Sequence, residues 1–403
     1  MSDATVQRRD SLLIKTLTCM MFFMFAMTTD AVGSIIPLLI EEFKLSLSAA
    51  SAFHYVPMVA IAAGGLCLGF LTDQQGHKRT ILLGLLLYGI GSLLFVFGSG
   101  FGYFVVLLAL SGVGVSVFKV GALALVGDVT GSPREHMTFM NTIEGFFAIG
   151  SIVGPALVAI LLAQGVSWKY LYVAASVICM MLILAALRVR YPSSRKPEVP
   201  VKFSQTLVML KNPCALGFSS LIMLYVAVEV AIYVWMPTWL QDYHGPNPWL
   251  ATYALTAFFV LRAAGRFLGA WLLDRLRWDS VLAVLALAIL VCFAGSLAGG
   301  TAVALWLLPL SGLFMSVLYP TLNSKGISSF PAREQGSIAG VILFFTAFSA
   351  AAGPLAMAAV SDALGNIRYG FMLATGFAAL LFAGLLWNRM MIPAEVRGTR
   401  TET

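Results

Sequence analysis

Twelve apolar stretches run along this chain, near residues 14–40, 49–72, 80–98, 101–127, 139–163, 167–189, 213–241, 248–273, 280–298, 301–326, 335–361 and 367–389. An α-helix needs about 20 apolar residues to cross a hydrocarbon core of about 30 Å. In lipid no water satisfies the backbone, so each stretch must bond its own N–H and C=O groups as a helix. The expected fold class is therefore an all-α membrane protein with twelve transmembrane helices. Composition agrees: 60% of the 403 residues are hydrophobic and 11% are charged, against about 25% charged in soluble domains. The first stretch is too long for a signal-peptide core and lacks a small-x-small cleavage pattern, so it reads as the first span. Cys19, Cys67, Cys179, Cys214 and Cys292 lie in or beside apolar sequence without metal-type spacing. They read as buried small apolar residues, and no metal site is expected.

Basic residues orient the spans. With both termini in the cytoplasm, eighteen of the Lys and Arg residues fall on the inner side, among them Arg8, Lys78, Arg79, Arg190, Arg275 and Arg397. Only Lys44, Lys169 and Arg368 fall outside, and Lys119, Arg262, Arg266 and Lys325 lie within or at the ends of spans. The net charge of +7 is thus a topology signal for a bacterial inner membrane protein, and no nucleic-acid partner is expected.

The two halves of the sequence match at an offset near 200 residues. Leu110-Ser111-Gly112 returns as Leu310-Ser311-Gly312, Ser116-Val117 as Ser316-Val317, and Pro37 as Pro237. Gly154-Pro155 pairs with Gly353-Pro354, and Asp73 with Asp274. Tandem, pseudo-symmetric six-helix bundles are expected over 1–189 and 207–403. The polar, proline-rich stretch 190–206 reads as a cytoplasmic linker.

Several ionisable residues sit deep in spans, where each costs about 2.5–3.5 kcal/mol to insert and where charge usually faces a wet interior. At about 1.5 Å per residue, Asp30 lies roughly 16 Å from one surface and Lys119 roughly 14 Å from the other. Glu144, Glu229 and Arg262 reach similar depths. Glu229 has two open readings, an ion pair with Arg262 on the next span or a contact with a solute. Tyr319 is the repeat counterpart of Lys119, and Asn323 lies one turn on. Tyr225, Tyr233, Trp235 and Trp239 can stack on a solute or simply pack. His54 reads as a capping or interfacial residue at the end of the second span, and Lys325 as a snorkelling one.

The loop after the second span reads Gly69-Phe70-Leu71-Thr72-Asp73-Gln74-Gln75-Gly76-His77-Lys78-Arg79. It resembles the signature loop of the major facilitator superfamily, G-x-L-a-D-r-x-G-r-k-r, with Gln74 in place of a basic residue. A degenerate copy runs from Gly265-Arg266 to Asp274-Arg275. Tyr225-Val226-Ala227-Val228-Glu229-Val230 is similar to Y-V-G-x-E-V of the fucose:proton symporter family. Gly145 through Pro155, Gly312-Leu313-Phe314 with Pro320, and Gly265-Arg266-Phe267 are also similar to that family. The resemblance implies two halves that rock around a cavity lined by the first, fourth, seventh and tenth spans. It also implies coupling acids on the first and fourth spans. Here Gly33 occupies the first-span position, Asp30 lies about a turn earlier, and Lys119 stands at the fourth-span position.

The resulting expectation is a monomeric secondary transporter in the lipid bilayer. It moves a small polar solute, sugar-like or an organic anion, by proton symport, with sodium the other candidate ion and no cofactor. Asp30, Lys119 and Glu144 are the proton-coupling candidates. Lys119, Glu144, Glu229, Arg262, Tyr319, Asn323, Tyr225 and Trp235 are the substrate-binding candidates. Gly69, Asp73, Gly76, Lys78, Arg79, Arg266 and Asp274 form a candidate conformational latch. Gly154, Pro155, Gly353 and Pro354 are candidate hinges, because proline removes a helical hydrogen bond. The alternative is proton-driven efflux of amphipathic compounds. Gly150-x-x-x-Gly154-Pro155 partly resembles the superfamily's antiporter motif, although Ala159 stands where the motif's closing Gly-Gly would fall. No nucleophile–base set or phosphate loop is present in sequence, so an enzyme is not expected.

Overall fold

The computed structural model describes residues 3–67, 75–130, 133–192, 211–330 and 335–391. Ten of its helical stretches are long and apolar enough to cross a membrane. One of them, Trp278–Ser328, has 51 residues and a length of about 76 Å, enough for two crossings. It reverses at Gly300, where the backbone leaves helical geometry. His77–Leu94 adds an 18-residue crossing. The described residues therefore hold twelve spans, in the order the apolar pattern predicts. Large apolar side chains such as Phe97, Val106 and Phe267 lie on the outside, as lipid-facing residues do.

The chain divides into two compact units, Met1–Pro200 and Val201–Thr403. In the first, the fifth span packs on the first, the second and third on the fourth, and the sixth on the first and third. In the second, the eleventh and twelfth pack on the seventh, and the eighth on the helix carrying the ninth and tenth. The same neighbours thus recur in both units.

The repeat extends to chain termination details. The fifth span ends at Gly165 and the eleventh at Gly365, both with φ near 70°. That left-handed conformation suits glycine. The following N–H groups reach back five residues, Val166 to the Leu161 carbonyl at 2.8 Å and Asn366 to the Ser361 carbonyl at 3.0 Å. Each is a helix stop of the Schellman type, which pairs carbonyls the helix leaves open.

The repeated Leu-Ser-Gly has a packing reason. A Cβ at Gly112 would lie 2.7 Å from the Pro57 carbonyl oxygen of the second span. A Cβ at Gly312 would lie 2.5 Å from the Phe258 carbonyl oxygen of the eighth. Both spans meet backbone to backbone, as small residues allow in membranes. Cys19, Cys179 and Cys292 are buried as expected, but Cys214 is exposed beside the helix start at Pro213. There Asn212 caps the helix, accepting from the Cys214 and Ala215 N–H groups. Of the linker expected over 190–206, residues 193–206 lie outside the described residues.

Candidate functional site

Asp30 sits at a break. The first span runs as one helix over Asp3–Thr29, turns at Asp30–Ala31, and resumes over Val32–Phe43. Thr28, Thr29, Asp30, Gly33 and Ser34 are weak helix formers whose polar groups compete with the helical ladder, which accounts for the interruption. The carboxylate accepts a hydrogen bond from Ser151 Oγ of the fifth span at 2.5 Å and one from Thr29 Oγ1 at 3.3 Å. Asp30 is half-buried.

Lys119 lies in the unbroken fourth span, Phe101–Asp128, and is also half-buried. Its ammonium stands 6.0 Å from the Phe147 ring centroid, within cation–π reach. Asp30 and Glu144 are the two acidic groups whose charge acts on it. The first unit therefore brings together all three proton-coupling candidates from three spans, with Glu144 the most exposed.

The fifth span holds this cluster tightly. A Cβ at Gly150 would lie 2.2 Å from the Phe23 carbonyl oxygen, and one at Gly154 would lie 2.0 Å from that of Met27. The helix Pro133–Ala163 stays continuous through Pro155. Here the Gly-x-x-x-Gly-Pro pattern seats the fifth span on the first. Gly154→Val would force the two backbones apart. The expected result is a loss of about 1–3 kcal/mol, read as a lower midpoint in thermal unfolding. An unchanged midpoint would refute that contact.

In the second unit, Glu229 of the seventh span and Arg262 of the eighth form an ion pair. Glu229 is buried and Arg262 half-buried. Of the two readings for Glu229, the structure displays the pair. Tyr225 donates from its hydroxyl to the Met315 carbonyl at 2.9 Å. That carbonyl ends a helix, because the tenth span breaks at Ser316–Val317 and resumes over Leu318–Ser328. The repeated Ser116-Val117 of the fourth span sits in unbroken helix. Pro320 explains the difference. It lacks an N–H and crowds the carbonyl four residues back, and Val120 stands at the matching place in the first half.

The Tyr225 and Tyr319 rings lie 6.4 Å apart, with Tyr319 and Asn323 half-buried. Trp235 is buried, and its indole N–H donates to the Pro354 carbonyl at 3.1 Å. The geometry gives it an anchoring task between the seventh and eleventh spans. A Cβ at Gly353 would lie 3.3 Å from Ala227. The helix runs unbroken through Pro354 over Gln335–Leu364.

Of the latch candidates, Gly69 and Asp73 lie outside the described residues. Gly76 precedes the helix that carries Lys78 and Arg79. Lys78 Nζ donates to the Leu187 carbonyl at 3.0 Å and the Val189 carbonyl at 2.8 Å, at the end of the sixth span. A cation at a helix C-terminus satisfies open carbonyls and the helix dipole, so Lys78 ties the third span to the sixth within one unit. Arg79 and Asp274 are exposed, and Arg266 is half-buried. Lys325 is exposed and lies 6.0 Å from the Trp278 ring.

His54 corrects the sequence reading. It is 1% exposed and turns into the first unit. It lines a small cavity with Thr29 and Tyr172, so it is not an interfacial residue. Sequence reasoning also passed over Ser151, the Asp30 partner. Its only signal was a position one residue after Gly150, on the helix that touches the first span. Among the described residues no metal-type cluster of His, Cys, Asp and Glu is present.

Residues 18–354 match the family described as Major Facilitator Superfamily. The glucose/galactose transporter of Brucella abortus is 24% identical over 408 residues, covering 96% of this chain and 97% of that protein. The L-fucose-proton symporter of Escherichia coli (strain K12) is 24% identical over 419 residues, covering 93% of each. Among solved structures, a nucleoside transporter superposes with a TM-score of 0.77 at 14% identity, over 93% of this chain and 99% of that one. At that identity the likeness speaks for the fold alone.

Proposed function

The chain belongs to the Major Facilitator Superfamily, and we propose that it imports a small, sugar-like solute together with a proton by alternating access. It is a secondary active transporter and not an enzyme. The reading of direction and solute rests on the Asp30, Lys119 and Glu144 cluster. It draws support from relatives named for glucose/galactose and for L-fucose with a proton.

The chemistry follows from charge balance. With Asp30 ionised, Lys119 feels the charge of two carboxylates, Glu144 and Asp30. A proton on Asp30 removes one of them and frees the ammonium toward Glu144. An ion pair at 4 Å in an effective dielectric of about 20 is worth about 4 kcal/mol. About 5.5 kcal/mol shifts a two-state equilibrium from 1:99 to 99:1. One protonation is therefore of the right size to bias the unit between two arrangements, provided solute binding contributes the rest. Asp30 loads its proton from one side and releases it to the other.

In the second unit we assign solute contacts to Glu229, Arg262, Tyr319 and Asn323, whereas Tyr225 is buried with its hydroxyl engaged by the Met315 carbonyl. A carboxylate, a guanidinium fork and a phenol suit the hydroxyl groups of a sugar, and the Tyr319 ring offers it a face. Efflux of amphipathic compounds has less support, because the partial antiporter motif is accounted for by the seating of the fifth span on the first. The basic-residue bias supports a bacterial inner membrane location with both termini cytoplasmic, and the protein acts as a monomer.

The test is a thermal-unfolding screen of purified protein against D-galactose, D-glucose and L-fucose, with organic anions and amphipathic cations alongside. A true solute at 100 times its dissociation constant adds about 2.7 kcal/mol of apparent stability. A shift with hexoses is expected. A shift with amphipathic cations alone would reject the sugar reading.

A further inference from the structure

Ser151 stands where the first unit sets its coupling acid against another span. It is 1% exposed and lies between Gly150 and Gly154, whose positions meet the Phe23 and Met27 carbonyls of the first span. The two backbones are already in contact there, so the hydroxyl changes partner by rotating about its own bonds. Two acceptors lie within its reach. Asp30 Oδ2 is at 2.5 Å, and the Phe147 carbonyl, one turn back on the same helix, is at 3.1 Å. A hydroxyl has one proton to donate and two lone pairs with which to accept. It therefore serves one of these acceptors fully at a time. The 2.5 Å contact has the length of a bond to an ionised carboxylate, which is about twice as strong as one between neutral groups. The contact to Phe147 is the back-bond a serine makes inside a helix, and it adds little to stability.

Other ionisable groups surround the first span at this level. Lys119 of the fourth span carries the cation on which Asp30 and Glu144 of the fifth span act. Behind Thr28 and Thr29, His54 of the second span, Tyr88 of the third and Tyr172 of the sixth line the small cavity. Tyr88 is held by Thr28, and Thr29 donates to Asp30 Oδ1 at 3.3 Å. All of these groups stay in place when Ser151 alone is changed, so a substitution there isolates its hydroxyl.

We propose that Ser151 is a positioning residue whose hydroxyl follows the protonation of Asp30. While Asp30 is ionised, the hydroxyl donates to Oδ2 and ties the fifth span to the first by a charge-assisted bond. A proton from the aqueous side then adds to Oδ2 as a new O–H bond. The carboxyl becomes the donor, and the Ser151 oxygen accepts. The Ser151 O–H bond stays intact throughout and turns to the Phe147 carbonyl. The tie between the two spans is now a neutral one. Proton uptake thereby loosens the contact at the break of the first span, Asp30–Ala31. The assignment rests on Asp30 being the coupling acid, as proposed above, and names the group that sets how readily that acid takes its proton.

The experiment needs no solute. The full chain in nanodiscs is titrated with pH, and the protonated-carboxyl infrared band of Asp30 is measured, with Asp30→Asn identifying the band. Ser151→Ala takes a charge-assisted bond from the ionised form and only a neutral one from the acid. The midpoint of the band is therefore expected to move toward alkaline pH by about one unit, a tenfold change in proton affinity. Ser151→Thr keeps the hydroxyl and is expected to titrate as wild type, which separates the hydrogen bond from packing. An unmoved midpoint in Ser151→Ala, or an equal alkaline shift in Ser151→Thr, would overturn the role of Ser151 while leaving Asp30 as the coupling acid. A wild-type spectrum with no Asp30 band at any pH would overturn the coupling role and this assignment together.

Discussion

Asp30→Asn is expected to abolish uphill accumulation of solute while exchange of solute across the membrane persists. Moving one elementary charge through 100 mV supplies about 2.3 kcal/mol, and each 1.4 kcal/mol is a factor of ten. One coupled proton therefore sustains a concentration ratio of about 50 at that potential. Asparagine has the shape of aspartate and can keep a hydrogen bond with Ser151, whose hydroxyl lies 2.5 Å from the native carboxylate. It cannot take up a proton. In proteoliposomes with an imposed gradient, the ratio should fall from about 50 to 1. Counterflow with preloaded solute should stay within a few-fold of wild type. If the variant still concentrates solute, Asp30 is not the coupling group, and the cluster with Lys119 and Glu144 loses its assigned function.

Arg262→Ala is expected to be among the most destabilising single changes in the second unit. It leaves the Glu229 carboxylate, buried on the seventh span, without the guanidinium that neutralises it. Breaking a buried pair from one side costs about 3–5 kcal/mol, whereas replacing both partners with neutral groups is often tolerated. The prediction has two parts. Arg262→Ala lowers the thermal midpoint markedly, and Glu229→Gln combined with Arg262→Met recovers most of the loss. The double variant then discriminates between the readings of the pair. If it folds and still transports, the pair is structural and the assignment of Glu229 and Arg262 to the solute fails. If it folds and no longer transports, the solute contact is supported. An unchanged midpoint in Arg262→Ala would mean that the pair contributes little to folding.

Both predictions concern residues whose depth was legible in the sequence and whose partners were legible only in part. The proximity of Glu229 to Arg262 could be anticipated, since the two lie on consecutive spans at similar depth. Ser151 could not. A serine in an apolar helix has no periodic signature, and it reaches Asp30 only because Gly150 and Gly154 let two backbones come into contact. The breaks in the first and tenth spans had partial signals. Pro320 marks one by its missing N–H, while the Thr-Thr-Asp run marks the other by weak propensity alone. From the sequence, Trp235 and Tyr225 could either stack on a solute or simply pack. The structure shows each donating a hydrogen bond to a backbone carbonyl. No sequence pattern reveals that, since the acceptors lie 119 and 90 residues away.

The sequence alone determined the number of spans, the two-fold internal repeat and the cost-bearing charges at mid-depth. Lipid offers the backbone no water, so hydrophobicity along the chain dictates where helices must lie. It did not determine which side chains meet. That depends on how each helix is rotated about its axis and how closely neighbours approach, which small residues on distant segments set jointly. Hence Lys78 caps the sixth span, His54 turns inward to a small cavity, and Asp30 stands at a helix break against Ser151. Those are decisions of tertiary packing, and the proposed coupling chemistry resides in them.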